Sequence, residues 1–180
     1  MAPTRVFLLD RSGSMESCWK DTIEGYNSFV NSQKEFGGTM TLILFDHEVE
    51  TVYENVPIQD VVPIDETDYQ PRGGTSLYDA MGKVLKMNLP DDTMVIILTD
   101  GEENSSAKYT GPHIKDLVEL KKWTFVYLGA NQDVVLNASR MGISPQMTLR
   151  YDGAQTPQLF QRLSATVSRH SQDPSRTLEL

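Results

Sequence analysis

Cysteine is all but missing from this chain: 180 residues carry one, Cys18. A single thiol excludes an internal disulfide and fits a reducing compartment. No apolar run approaches the roughly 18 residues that a membrane-spanning helix needs. The first residues, Met1-Ala2-Pro3-Thr4-Arg5, lack the apolar core of a secretory leader, so the chain reads as cytoplasmic. An excess of basic charge is missing too, since 16 Lys and Arg face 25 Asp and Glu for a net charge of −9. That balance speaks against nucleic acid and anionic membrane as partners, and for cations and basic surfaces. The histidines, His47, His113 and His170, are scattered, with no second ligand at metal spacing. There is no internal repeat and no interdomain linker. The expectation is one domain over residues 1–170 and a flexible polar tail over 171–180.

Four apolar runs are present: Val6–Leu9, Leu42–Phe45, Met94–Leu98 and Phe125–Leu128. They lack polar alternation, as strands of a parallel sheet do when helices cover both faces. Helical periodicity lies between and after them. Ile23, Tyr26, Phe29 and Val30 mark one helix, and Leu77, Ala80, Met81, Val84 and Leu85 another. Ile114, Leu117 and Val118 mark a short one, and Val134, Ala138 and Met141 one stopped by Gly142. Leu159, Phe160, Leu163 and Val167 mark the last, with Thr156 as cap and Pro157 at its first position. Only Asp46-His47-Glu48 separates Leu42–Phe45 from Val49–Tyr53. So short a link permits a hairpin but no crossover, which makes the second run an antiparallel edge strand. Residues 147–150 are a candidate for a last edge strand. Segment 55–72, with Pro57, Pro63 and Pro71, reads as a long surface loop. The fold class is therefore α/β: a doubly wound, mostly parallel sheet with one antiparallel edge strand and helices on both faces.

Directly after the first strand-like run stands Asp10-Arg11-Ser12-Gly13-Ser14-Met15. One carboxylate and two hydroxyls on a tight turn form a cluster of hard oxygens, placed where open α/β sheets bind ligands. Two further segments follow in order: Gly73-Gly74-Thr75-Ser76, and Thr99-Asp100-Gly101 after the run Met94–Leu98. Taken singly, such residues often only cap helices, and Ser76 with Asp79 has the spacing of a capping box. Taken together, an Asp-x-Ser-x-Ser, a later Thr and a later Asp-Gly resemble the von Willebrand factor type A family over residues 5–170. Small stand-alone bacterial or phage members are the nearest in character.

That resemblance implies a metal-ion-dependent adhesion site. It implies Ser12 and Ser14 as direct ligands, Asp10 as a charge that orients bound water, Thr75 as a ligand from a neighbouring loop, and Asp100 as the second carboxylate. In the family Thr75 is the ligand that engages in one state only, with a shift of the final helix. Gly13 and Gly101 are small where backbone nears the ion, or serve only as turns. The implied cofactor is Mg²⁺, with Mn²⁺ fitting the same ligands, and the implied partner is a protein that offers an Asp or Glu carboxylate to the ion. Arg11, Asp46, Arg72, Glu102, Glu103 and Asn104 are candidates for a partner-binding rim. No catalytic residue is assigned. Two alternatives stay open: a metal-stabilised subunit of a larger complex, and a Mg²⁺-dependent phosphohydrolase. The phosphatases with Asp-x-Asp after the first strand have their acid/base where Ser12 stands, and Gly73-Gly74-Thr75 lacks the Gly-Lys-Ser/Thr of a phosphate loop.

Overall fold

The computed structural model describes residues 2–100, 102–130 and 133–180. Six strands form one sheet: β1 (Thr4–Asp10), β2 (Thr39–Phe45), β3 (Val49–Pro57), β4 (Met94–Thr99), β5 (Thr124–Gly129) and β6 (Thr148–Arg150). Their spatial order is β3-β2-β1-β4-β5-β6. Every pairing is parallel except β2 with β3, the edge hairpin expected from its three-residue link. Among the described residues five α-helices flank the sheet: α1 (Trp19–Gln33), α2 (Leu77–Leu85), α3 (Gly111–Glu119), α4 (Val134–Arg140) and α5 (Thr156–Gln172). Among the described residues, no helix is long and apolar enough to cross a membrane.

The runs without polar alternation are buried on both faces, and each face has its own core. Phe7, Leu9, Leu42, Leu44, Ile96, Leu98, Val126 and Leu128 pack with α1 and α5. Their neighbours in sequence, Val6, Leu8, Ile43, Phe45, Val95, Ile97, Phe125 and Tyr127, pack with α2, α3 and α4. Each such side chain contributes about 1.5–3 kcal/mol on burial. On the first face α1 and α5 meet closely because residue 25 is Gly, where a Cβ would come within 2.1 Å of the Phe160 ring.

Three expectations are corrected. The segment read as a surface loop over 55–72 is not one. β3 continues to Pro57, and Ile58, Val61, Ile64 and Tyr69 are buried in the α1–α5 core. Asn27 clamps this strap to α1, donating to the Ile64 carbonyl at 2.8 Å and accepting from its N–H at 2.9 Å. Past Pro57, Pro63 and Pro71 keep it out of the sheet ladder, while its apolar side chains still gain by burial. The tail also differs: α5 runs to Gln172, and Leu178 is buried in the same core. At the start of α5, Thr156 lies inside the helix and donates to the Gly153 carbonyl at 2.6 Å rather than capping.

Candidate metal centre

Strand order reverses between β1 and β4. The chain leaves β1 toward β2 on one side, and β4 arrives on the other. Such a switch point leaves a crevice beyond the carboxyl ends of the two strands. Asp10 closes β1, and Asp100 follows the last residue of β4. The register pairs Leu9 with Leu98, which sets the two acidic loops side by side.

The side chains there form a chain of hydrogen bonds. One Asp10 carboxylate oxygen accepts from the Ser12 N–H at 2.6 Å, and the other accepts from Thr99 Oγ1 at 2.6 Å. The Ser12 and Ser14 hydroxyls are 3.0 Å apart, and Ser14 Oγ donates to Asp100 Oδ1 at 2.7 Å. Asp10, Ser12 and Thr75 are buried, Asp100 is half-buried and Ser14 is exposed, so the cluster has a buried floor and an open lip. The Thr75 loop is tied to the first loop by Gly13 N–H to the Gly73 carbonyl at 3.1 Å. Asn104 holds the same loop through its side-chain oxygen, which accepts from the Thr75 N–H at 2.8 Å.

Neither serine caps a helix. Ser12 precedes a one-turn 3-10 helix and Ser76 precedes α2, both without a side-chain capping bond. The capping box read from Ser76 and Asp79 does not form. Asp79 instead accepts from the N–H groups of Ala107, Lys108 and Tyr109 at 2.9–3.0 Å, and the buried Ser76 hydroxyl is without a partner. The hydroxyls that the bland reading would have used up are thus available.

Electrostatics point the same way. Burial pushes the Asp10 carboxyl up to about 6, against the hydrogen bonds from Thr99 and Ser12, and the Asp100 carboxylate adds to the rise. Asp100 is also raised, by burial first, with the Ser14 bond opposing. Among the described residues no Lys, Arg or His pairs with either carboxylate. One buried and one half-buried carboxylate with three hydroxyls and no counter-cation are a donor set that fits a small hard divalent ion.

The fold can now be compared with known proteins. No protein-family model and no curated protein matches the sequence. Solved structures match in fold. A von Willebrand factor type A structure from Catenulispora acidiphila aligns with a TM-score of 0.64 at 15% identity, over 91% of this chain and 42% of that one. This chain has the von Willebrand factor type A fold. Proximal thread matrix protein 1 of the mussel byssus, with zinc in its metal-ion-dependent adhesion site motif, gives 0.68 at 18% identity, over 93% of this chain and 48% of that one. The manganese-loaded TRAP protein of Plasmodium vivax gives 0.61 at 18%, over 88% and 72%. The chain spans less than half the length of the first two.

Within this type A fold, the structure brings Asp10, Ser12, Ser14 and Asp100 together and places the Thr75 loop beside them. Gly13 is not demanded by packing, since a Cβ there would meet nothing nearer than 3.6 Å. Gly101, expected to be small where backbone nears the ion or to serve as a turn, lies outside the described residues. The candidate rim divides. Arg11 and Asp46 are buried and cannot face a partner. Asp46 accepts from Arg11 Nε at 2.9 Å, Arg72 Nε at 2.7 Å and the Glu48 N–H at 2.7 Å, and Arg11 also reaches Glu50 at 2.9 Å. Burial would raise Asp46, but Arg72, the Glu48 N–H and Arg11 together hold it below the usual carboxylate range. The Asp46 carbonyl accepts from Ser76 N–H at 2.7 Å, and the Arg11 carbonyl from Arg72 N–H at 2.9 Å. This network ties the Asp10–Ser14 loop to the Thr75 loop from below. Arg72 is exposed but committed to Asp46 and Glu48. Glu103 accepts from the Ser106 N–H at 3.1 Å, which leaves the exposed Glu102 and Asn104 as rim.

His47, read as having no second ligand, stands with Asp46 and Glu48 so that one donor atom of each lies within 4.8 Å of the others. Both Asp46 oxygens are already taken by the arginines and the Glu48 N–H, so this trio belongs to the ion-pair network. Two residues went unassigned in the sequence. Thr99 orients the Asp10 carboxylate, and its place as the last residue of β4, just before Asp100, was the available signal. Tyr69, fully buried, donates its hydroxyl to the Asp10 carbonyl, and no local pattern marks it.

Proposed function

We propose that this chain is a divalent-cation-dependent protein-binding module, with Asp10, Ser12, Ser14, Thr75 and Asp100 holding the ion. The observation that carries the reading is the buried Asp10 and half-buried Asp100, linked through the Ser12 N–H and the Ser12 and Ser14 hydroxyls and, among the described residues, lacking a cationic side chain. Mg²⁺ is the ion these hard oxygens suit best, with Mn²⁺ next. When bound, the ion supplies an electrophilic position that a carboxylate from a protein partner fills, so that an acidic chain binds an acidic group. The residues do the preparation. Thr99 and the Ser12 N–H fix the rotamer of Asp10, the Asp46 network holds the two loops in register, and the exposed Ser14 marks the open side. Fold neighbours with zinc and manganese support a divalent ion.

Binding is favoured over catalysis because Ser12 stands where Asp-x-Asp phosphohydrolases need a second carboxylate. The test has two arms. Mn²⁺ titration followed by electron spin resonance should find one site in the wild type and none in Asp10→Ala or Asp100→Ala. Protein captured by the immobilised chain in Mg²⁺ should elute with chelator. Capture that chelator leaves unchanged overturns the adhesion reading. Phosphatase activity dependent on Asp10 would replace it with the enzymatic one, and self-association lost on chelation with the assembly-subunit one.

A further inference from the structure

The two edges of the sheet are built differently. β6 is three residues long, whereas β3 runs for nine and pairs only with β2. None of the nine is buried, while β1 is buried throughout. A strand with one neighbour leaves a row of backbone N–H and C=O groups open to a further strand. The strap that follows β3 does not fill that row. Ile58, Val61, Ile64 and Tyr69 turn into the α1–α5 core, and among the described residues no backbone hydrogen bond joins the strap to β3.

Charge is spread unevenly along the chain, and this edge holds the excess. Between Lys34 and Arg72 stand nine Asp and Glu with no Lys or Arg. The rest of the chain carries 16 charges of each sign, so the net charge of −9 belongs to this segment. Asp46, Glu48 and Glu50 are matched by Arg11 and Arg72, and Glu66 by Lys20. Glu35, Glu54, Asp60, Asp65 and Asp68 are exposed and, among the described residues, form no ion pair. They flank the strand. Arg11 Nη1 donates both to the Glu50 carboxylate at 2.9 Å and to the Asp68 carbonyl at 3.2 Å, which sets the strap beside one end of β3. At the other end the Ile58 N–H donates to the Gly38 carbonyl at 2.9 Å, with Asp60 two residues on, and Lys34 reaches the Val61 carbonyl at 3.5 Å. Acidic side chains on an edge also keep copies of one chain from pairing, which accounts for Glu50 and Glu54 within β3. It does not account for Asp60, Asp65 and Asp68, which stand outside the ladder.

We propose that the β3 edge takes up an extended Lys- or Arg-rich segment of a protein partner as an added strand. The ladder supplies main-chain hydrogen bonds, and the carboxylates select the charge of the segment. A second copy of this chain is a poor occupant, because its own Glu50 and Glu54 would stand against the same carboxylates. β3 lies two strands from β1, about 10 Å at the usual spacing, and the inference does not depend on the ion.

The test is an amide NMR titration of the full chain in chelator with a synthetic peptide that alternates Lys and Val. Saturable shifts are expected over residues 49–56, with slowed hydrogen exchange at the β3 amides that face away from β2. Two control peptides separate the contributions. The same sequence with Glu for Lys should not bind, and the Lys peptide N-methylated at alternate residues should bind about tenfold more weakly. Glu54→Lys with Asp60→Lys, both at exposed positions, should weaken the unmodified peptide about tenfold. Equal binding of the methylated peptide would reduce the contact to charge attraction and overturn strand addition. Absence of binding, shifts spread over the surface, unchanged affinity in the double variant, or β3 amides already protected in a concentration-dependent dimer overturn the proposal as well.

Discussion

Two buried aspartates sit at the same end of the sheet and have been given opposite surroundings. Asp46 follows the last residue of β2, among arginines: both of its oxygens are taken, and its carboxyl is held low. Asp10 ends the adjacent strand among hydroxyls, has Asp100 for a neighbour, and is pushed up to about 6. The register even pairs Asp10 with Phe45, the residue before Asp46. Both side chains are shielded from solvent and both stand where a strand gives way to a loop, and their partners are what set them apart. A buried carboxylate with its cation supplied by the chain is architecture. One left without a cation is a vacancy in charge, and it is where an ion from solution gains most.

Breaking the complete pair should cost most. Asp46→Ala strands the buried Arg11 and is expected to destabilise by about 3–5 kcal/mol, with or without divalent ions, as read from denaturant melts. A loss below 1 kcal/mol would mean that Glu50 and the Asp68 carbonyl already satisfy Arg11. The incomplete site should respond to the ion instead. An ion at ~100 times its dissociation constant stabilises wild type by about 2.7 kcal/mol. Asp10→Asn should show none of that gain while melting close to wild type in chelator. Its amide can still accept from the Ser12 N–H and donate to Thr99, so an equal ion response in Asp10→Asn breaks the assignment. A third measurement uses Tyr69, which joins the strap to the Asp10 backbone: Tyr69→Phe should lose about 1–2 kcal/mol, and a neutral result would detach the strap from the site.

Acid sharpens the contrast further. Asp46 is lowered in the folded chain, so its contribution is present above the unfolded carboxylate value near 3.9 and is lost as pH falls through its folded value. The stability gap between wild type and Asp46→Asn should therefore be constant at neutral pH and close toward strong acid. A gap that widens in acid would reverse the sign assigned to this group. The smallest effect belongs to the exposed rim, where Glu102→Ala should stay within about 0.5 kcal/mol in stability while altering partner capture.

Much of this was legible in the sequence. Runs such as Met94–Leu98, without alternation, announced strands covered on both faces, because a residue with no polar side toward water has to be enclosed on each. The three-residue link at Asp46–Glu48 dictated the hairpin by its length. Asp10, Ser12, Ser14 and Asp100 could be named because Asp-x-Ser-x-Ser and a later Asp-Gly, each directly after a strand-like run, resemble the type A family. The strap over 58–69 was not legible, since prolines signal only the absence of a ladder and say nothing of what Ile58, Ile64 and Tyr69 pack against. Arg11 and Asp46 looked like rim because charge in a loop is ordinarily solvated. Their burial depends on Arg72, 26 residues from Asp46 in sequence, arriving to complete the pair.

The sequence by itself determined the strands, the hairpin and the helical faces, because periodicity and link length act over a few residues, and its resemblance to the type A family named the oxygens proposed as ligands. Only the tertiary structure decided which charges are balanced. Asp46 and Asp10 read alike along the chain, and what separates them is long-range: which side chains from distant segments come within hydrogen-bonding reach once water is excluded.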